Sequence, residues 1–328
     1  MRESVARWGL ALAATAVFGH AQAQTGAAAG TYPARPVRWL IGFAPGASND
    51  IIARIIAPRL SEGLGQQVIV DNRTGASGMI AGEIVSKALP DGHTLLFATG
   101  GPNVFGPMLT KRAPYRADDF AFVVMFGHTP LLIAAHPAFP PRNPRELVDY
   151  AKANPGRINW ASAGQGSTPH FALLVLQAAT GMEVTHVPYK GAAPALIDIA
   201  SGQVQAMHTS AVSSEAYLSS KRVKAIGVAG TKRLAALPDV PTLAEHGIVD
   251  AEASVFFGMA APPGTPRAIV QKLNTEVNRL LKQADALRRL QDLGLEVLGG
   301  TPEAAAQHVK REIAKVARLI ELGKLRPE

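Results

Sequence analysis

Phe43-Ala44-Pro45-Gly46-Ala47-Ser48-Asn49-Asp50 joins two segments of opposite character. Before it, residues 37–43 are β-branched and apolar, which reads as a buried strand. After it, Ile51, Ile52, Ile55, Ile56 and Leu60 fall on one stripe, so a helix is expected over 49–64. A strand, a loop of small residues and an amphipathic helix form one unit of a parallel, doubly wound sheet. Pro58 lies inside the stripe and is expected to kink or interrupt the helix, since it has no N–H to donate.

The rhythm continues outward. Strands are expected at 67–70 and 94–98, with a helix over 79–89 closed by Pro90-Asp91-Gly92. The apolar stretch 120–135 reads as two strands separated by Gly127-His128-Thr129-Pro130. A helix over 143–154 follows, capped by Asn143 with Pro144 first. Strands at 158–161, 184–187 and 204–207 then alternate with helices at 169–180 and 193–201. A strand at 223–228 and a proline-bounded loop at 237–241 precede a strand at 254–260. Pro262-Pro263-Gly264-Thr265-Pro266 opens a long helix over 267–283, and Thr301 caps a last one over 302–322. No repeat of solenoid length occurs.

One echo stands out. Ala161-Ser162-Ala163-Gly164-Gln165-Gly166-Ser167-Thr168 is again strand, small-residue loop and helix start. Both loops suit an anion. Small residues let main-chain N–H groups approach a ligand, and the helix that follows offers unpaired N–H groups and a positive dipole end. Ser48, Ser167 and Thr168 add hydroxyls. Plain capping by Ser48 or Thr168 is the competing reading, but two such loops in one chain favour binding. Asp50 is either a dipole-matched acid or a brace that fixes the first loop; it should not touch an anion. His170 and Lys190 read as ordinary first-turn and loop residues, Tyr189 as a possible pocket wall, and Phe256 and Phe257 as core.

Catalytic and metal motifs are missing. Neither Gly166-Ser167 nor Ser77-Gly78 completes a nucleophile elbow. Tyr189-Lys190-Gly191 lacks the rest of a phosphate loop, and Gly164-Gln165-Gly166 meets Pro169 where a dinucleotide fingerprint needs glycine. The nine histidines show no metal-ligand spacing. No cofactor and no metal are expected. With no cysteine, disulfides are excluded.

The N-terminus reads as an export signal. Arg2 and Arg7 precede the uncharged apolar run 8–19, and Ala21-Gln22-Ala23 is a cleavage site of the A-x-A kind. The run is shorter than the roughly 20 residues that span a bilayer. Cleavage is expected after Ala23, with 24–30 a loose leader. A soluble mature chain outside the cytoplasm is expected. The formal charge of +8 falls to +7 when Arg2, Glu3 and Arg7 leave. Its lysines and arginines are scattered, with no basic run, which argues against nucleic acid and suits small anionic ligands.

The segments quoted above, in their order, resemble a known family. Val70-Asp71-Asn72-Arg73-Thr74-Gly75-Ala76-Ser77-Gly78, Pro90-Asp91-Gly92-His93-Thr94-Leu95-Leu96, His186-Val187-Pro188-Tyr189-Lys190-Gly191-Ala192-Ala193-Pro194-Ala195 and Ala261-Pro262-Pro263-Gly264-Thr265-Pro266 join them. Together they are similar to the solute receptors of tripartite tricarboxylate transporters, the Bug receptors. The resemblance implies an α/β, type II periplasmic binding protein fold: two doubly wound lobes joined by two crossing segments, with a cleft between them. Lobe one would comprise 31–128 plus 253–328, and lobe two 129–252. It implies a small organic carboxylate as ligand, membrane permease subunits as partners, a monomer, and no catalysis. Carried over residue by residue, the ligand site would use Phe43, Pro45, Gly46, Ala47, Ser48 and Asp50 from lobe one. Thr99, His128 and Thr129 would lie near the cleft. Ser162, Gly164, Ser167, His170 and Tyr189 would come from lobe two, with His208 and Thr209 on its cleft side.

Two departures bear on specificity. Ala47 replaces the family's second glycine. His208-Thr209-Ser210 stands where the family often has phenylalanine, an acid and asparagine, which should favour more negative or bulkier ligands. Two rival functions remain open at this level: a carboxylate sensor feeding a membrane signalling partner, and an exported serine hydrolase using Ser167 and His170. The second suffers because residues three apart at a helix start rarely form a nucleophile–base pair.

Overall fold

A computed structural model describes residues 32–321. The expected signal segment, its Ala23 cleavage site, the leader 24–30 and position 322 lie outside them. The strands are β1 (Val37–Ile41), β2 (Val68–Asn72), β3 (Thr94–Ala98), β4 (Ala121–Ala135), β5 (Asn159–Ser162), β6 (Thr185–Pro188), β7 (Ala206–Ser210), β8 (Lys224–Val228), β9 (Ser254–Ala261) and β10 (Glu296–Val297). The helices are α1 (Ser48–Leu64), α2 (Met79–Ser86), α3 (Gly106–Leu109), α4 (Pro144–Ala153), α5 (Thr168–Thr180), α6 (Ala192–Ala200), α7 (Ala211–Ser219), α8 (Arg267–Leu281), α9 (Ala284–Asp292) and α10 (Pro302–Glu321).

The strand order β2-β1-β3-β9-β4-β7-β5-β6 holds two parallel units of the doubly wound kind. β1 pairs in parallel with β2 and β3; β5 pairs in parallel with β6 and β7. In such a sheet the strand–helix loops gather at the carboxyl ends of the strands, where ligands bind. The first half is knit by rings from four strands. Trp39 stacks on Phe97 at 5.3 Å, and Phe97 also meets Phe126 at 5.7 Å and Phe257 at 6.1 Å. All four are almost free of solvent.

β4 joins the halves. It is one strand, not the two expected. It pairs with β9 from Ala121 to Pro130, then with β7 and β8 from Leu131 or Leu132 to Ala135. Pro130 cannot donate a ladder hydrogen bond, and it stands where the partners change. The turn signal in Gly127–Pro130 thus marks an exchange of neighbours, not a chain reversal. Ala253 makes the return crossing: it accepts from the Leu131 N–H and donates to Ala229 O. At these two points the chain passes from one half of the sheet to the other.

Other differences have local causes. α1 runs unbroken through Pro58, whose face is exposed, so water can serve the carbonyl that the proline leaves unpaired. A π-helical turn at Gly101–Phe105, and the helices α3, α7 and α9, were not foreseen. β7 ends at Ser210 instead of Met207, which puts His208 and Thr209 inside a strand. Asn143 caps α4 through Glu146 N, and Thr301 accepts from Ala304 N, as expected. Among the described residues no helix is long and apolar enough to cross a membrane.

Phe97 touches three rings from three other strands, so truncation there opens a cavity that cannot easily collapse. Phe97→Ala should cost about 3–5 kcal/mol in denaturant unfolding; a loss under about 1 kcal/mol would mean the ring cluster does not hold the first half together.

Candidate functional site

Four helices begin at one place. The starts of α1 and, from the other lobe, α5, α6 and α7 surround a narrow cleft of about 40 Å³. Ser48 and Asn49, Thr168, Ala192, and Ser210 and Ser213 are their respective lining residues. Thr209 at the end of β7, and Leu131 and Val255 on the crossing strands, complete the inner wall. No charged side chain lines the cleft among the described residues. Its positive character comes from helix ends alone.

Two of these helices have no capping side chain on the residue before them. α1 follows Ala47 and α6 follows Gly191, neither of which caps. Ser167 caps α5 through His170 N, and Ser210 caps α7 through Ser213 N. Ser48 N–H donates to Ser213 Oγ at 2.9 Å, a direct tie between the lobes. Two buried polar atoms at the cleft, Asn49 Nδ2 and Thr209 Oγ1, have no hydrogen-bond partner among the described residues. Such atoms are rare in folded proteins because each forfeits its hydration. Two lie at this cleft, beside helix starts, where they can donate to a ligand's acceptors.

The first loop is braced from behind. Gly46 takes a left-handed φ of 80°, which a side chain would resist. Its N–H donates to Asp50 Oδ2 at 3.0 Å, and Arg54 grips both oxygens of that carboxylate at 3.0 Å. Arg54 also reaches Asn72, whose Nδ2 donates to Phe43 O at 3.0 Å. Asp50 therefore fixes the loop and does not line the cleft. Burial pushes its carboxyl up, but the Arg54 hydrogen bonds, the Gly46 amide and Asn72 outweigh this and hold it below its usual value. Ala47 is extended, at φ −74°, so replacing glycine there costs the backbone nothing. Its methyl packs with Phe43 and, across the cleft, with Ala163.

The second loop is braced by two imidazoles. Gly166 N–H donates to His170 Nδ1 at 3.1 Å, and His170 stacks on His186 at 4.1 Å. Burial, with His186 beside it, pushes His170 down to about 4, so the ring is neutral at neutral pH. His186 Nε2 lies 2.6 Å from Ser162 Oγ, which also accepts from Gly164 N–H. Ser167 Oγ accepts the His170 main-chain N–H at 3.4 Å, and the ring nitrogen near the loop is already engaged. Ser167 and His170 thus form a helix cap and a loop brace, not a nucleophile and its base.

Of the sequence-expected residues, Phe43, Ala47, Ser48, Thr99 and Thr209 line the cleft. Asp50, Ser162, Ser167 and His170 stand behind its loops. Pro45 and Gly46 sit at the exposed loop tip. Gly164 and Tyr189 line an adjoining chamber, where the Tyr189 hydroxyl donates to Asp198 at 2.7 Å. Thr129 is buried in β4, and among the described residues its hydroxyl meets only Pro130 O, at 3.4 Å. His128 lines a separate cavity with Glu312 and Lys315. His208 is fully buried on the other face of β7, 5.2 Å from Trp160, and neither ring nitrogen has a partner among the described residues. Asn49, Ala192, Ser210 and Ser213 were missed. The serine cap before α7 was the available signal.

Two α/β lobes closing on a cleft rimmed by helix starts define a solute receptor of the periplasmic binding kind. The model of the tripartite tricarboxylate transporter family receptor matches residues 52–325, and the chain belongs to that family. It is 40% identical, over 88% of its length and 86% of the relative's, to the UPF0065 protein from the tcbD-tcbE intergenic region of a Pseudomonas species. It is similar to MatC of Rhodopseudomonas palustris with bound malate: 35% identity, TM-score 0.84, covering 87% of this chain and 98% of that one. A second R. palustris protein, solved with adipate, gives 33% identity and TM-score 0.87, covering 90% and 100%.

Asp50→Asn should cost about 1–3 kcal/mol, since Arg54 and the Gly46 amide lose a charged acceptor. Because the folded carboxyl titrates below the ordinary 3.8, the stabilisation is present above that pH and is lost as pH falls through the folded value. Urea melts of both proteins should converge in strong acid; a gap independent of pH would refute the pairing.

His208 behaves differently. Burial pushes it from the usual 6.5 down to about 3, so only the unfolded chain takes up a proton between those values and stability falls as pH drops through that window. His208→Leu should flatten that acid loss and leave ligand preference unchanged. A changed preference would return His208 to the cleft.

Proposed function

We propose that this chain is an exported receptor that captures a small carboxylate between its lobes and delivers it to the permease of a tripartite transporter. Export rests on the signal-like segment 1–23 with its Ala21-Gln22-Ala23 site. The observation that carries capture is the pair of unpartnered buried groups, Asn49 Nδ2 and Thr209 Oγ1, at a cleft ringed by helix starts and free of charged side chains. Such a cleft offers donors, not counter-ions. It suits an anion that spreads its charge over several oxygens. Malate and adipate, found in the two similar structures, are of this class.

The mechanism follows from the contacts. A carboxylate first meets the N-terminus of α1, held rigid by Asp50 and Arg54. Lobe two then brings α6, α7 and Thr209 onto its other oxygens, and Ser48 N–H closes on Ser213 Oγ. Closure excludes water and strengthens each hydrogen bond by lowering the local dielectric. The ligand must favour the closed form for closure to follow binding. The closed surface, made of both lobes, is what the permease reads. Phe43, Leu131 and Val255 supply an apolar wall for the ligand's carbon skeleton. The reading includes no bond making or breaking.

Native mass spectrometry of gently purified protein should show a co-purified organic acid. In thermal-shift titrations malate or adipate should stabilise the receptor by about 2.7 kcal/mol at a hundred times the dissociation constant. Thr209→Val keeps the shape and removes one donor, so it should weaken binding by roughly tenfold or more. Unchanged affinity in that variant, or no response to any carboxylate, would count against the proposal.

A further inference from the structure

Between β2 and α2 the chain turns in the disfavoured hand. Gly75, Ala76, Ser77 and Gly78 all take positive φ, at 132°, 44°, 55° and 89°. Two of the four are not glycine. A side chain in this conformation crowds the carbonyl that follows, so Ala76 and Ser77 each cost stability. Such residues persist where their surroundings over-determine them, and they gather at the working parts of proteins. The surroundings do so here. A Cβ on Gly42, just after β1, would lie 2.4 Å from Gly78 Cα, and one on Gly101 would lie 2.5 Å from Ser77 O. The turn is pressed against backbone on both sides, and Gly78 N–H closes it on Gly75 O at 2.9 Å. It has no room to relax.

The side chain at the centre of this turn reaches the other lobe. The Ser77 hydroxyl is buried and donates to Gln165 O, in the loop between β5 and α5. Gly164 permits the approach, since a Cβ there would sit 2.9 Å from Ser77 Oγ. The receiving loop is the second anion loop, already braced by His170 and His186. Glycine at 77 would relieve the backbone but would bring no hydroxyl. The strained serine is thus explained by what its side chain touches, and that partner lies across the gap.

Resting on the closure reading above, we propose that Ser77 is a closure latch, a hydroxyl held ready by a strained, clamped turn of one lobe to fasten the second anion loop of the other. The turn belongs wholly to the first lobe, so its conformation is set before the lobes meet, and the bond forms without reordering it. Ser77 is a positioning residue. It touches the loop and does not line the cleft, so it acts alike on every solute that the closed form holds. Docking on α1 precedes closure. The latch therefore slows release and leaves encounter unchanged.

Two variants separate the bond from the strain. Ser77→Ala loses the hydroxyl and keeps the strain; Ser77→Gly loses both. Surface plasmon resonance with malate and with adipate should show dissociation roughly three- to tenfold faster in both variants, the size of one neutral hydrogen bond. Association rates should stay within about twofold, and the factor should be the same for the two acids. Ser77→Gly should nonetheless unfold at a higher temperature than Ser77→Ala. A second measurement needs no ligand. The chain has no cysteine, so spin labels can be placed by Glu62→Cys and Glu183→Cys, exposed positions on opposite lobes. Electron–electron distances between them should gain a second, more open population in both variants. Unchanged dissociation, or a loss that follows the unfolding temperature, overturns the latch. If neither acid binds wild type, the carboxylate reading fails and the distances decide alone: identical distributions in wild type and variants overturn the latch too.

Discussion

On the proposed reading, a carboxylate entering this cleft meets no opposite charge among the described side chains. Everything else about the structure follows from how its charge is balanced. Main-chain N–H groups at helix starts are fixed partial charges, worth little in water and much more when water is excluded. They act only if they are aimed before the ligand arrives and sealed once it has. The first condition asks for rigid loops. The second asks for two lobes that can close.

The fold meets both conditions with few parts. Parallel strands deliver their loops to one edge, so α1 on one side and α5, α6 and α7 on the other point into a single gap. Each loop is then braced from outside the gap. Asp50, Arg54 and Asn72 hold the first; His170, His186 and Ser162 hold the second. The charged and titratable groups are thus kept behind the loops, where they set geometry without competing for the anion. β4 carries the connection. Its change of partners at Pro130 and Leu131 lets one continuous strand belong to both lobes.

Much of this is legible in the sequence. The units built on 37–64 and 161–180 declare themselves because their helices bury apolar stripes and their loops are runs of small residues. What stayed hidden has a physical cause in each case. α7 buries Ser213 and Ser214 beside Ala211 and Val212, so its inward face lacks the apolar period that betrays a helix. The helical turns after β3 begin with Gly101-Pro102 and Gly106-Pro107, residues that elsewhere signal loops. Reading β7 as ending before His208 concealed the alternation of a strand. Inside β7, His208 and Thr209 necessarily face opposite sides, one toward Trp160 and one toward the cleft. Asn49 could not be singled out because its meaning lies in what fails to meet it, and that requires three dimensions.

The most direct test of the central claim is amide NMR during titration with malate. If helix starts carry the anion, the N–H signals of Asn49, Asp50, Ala192 and Ala193 should move downfield together and saturate at one dissociation constant. Saturable binding that leaves those four amides in place, and moves instead the signals around His128 and Lys315, would contradict the account.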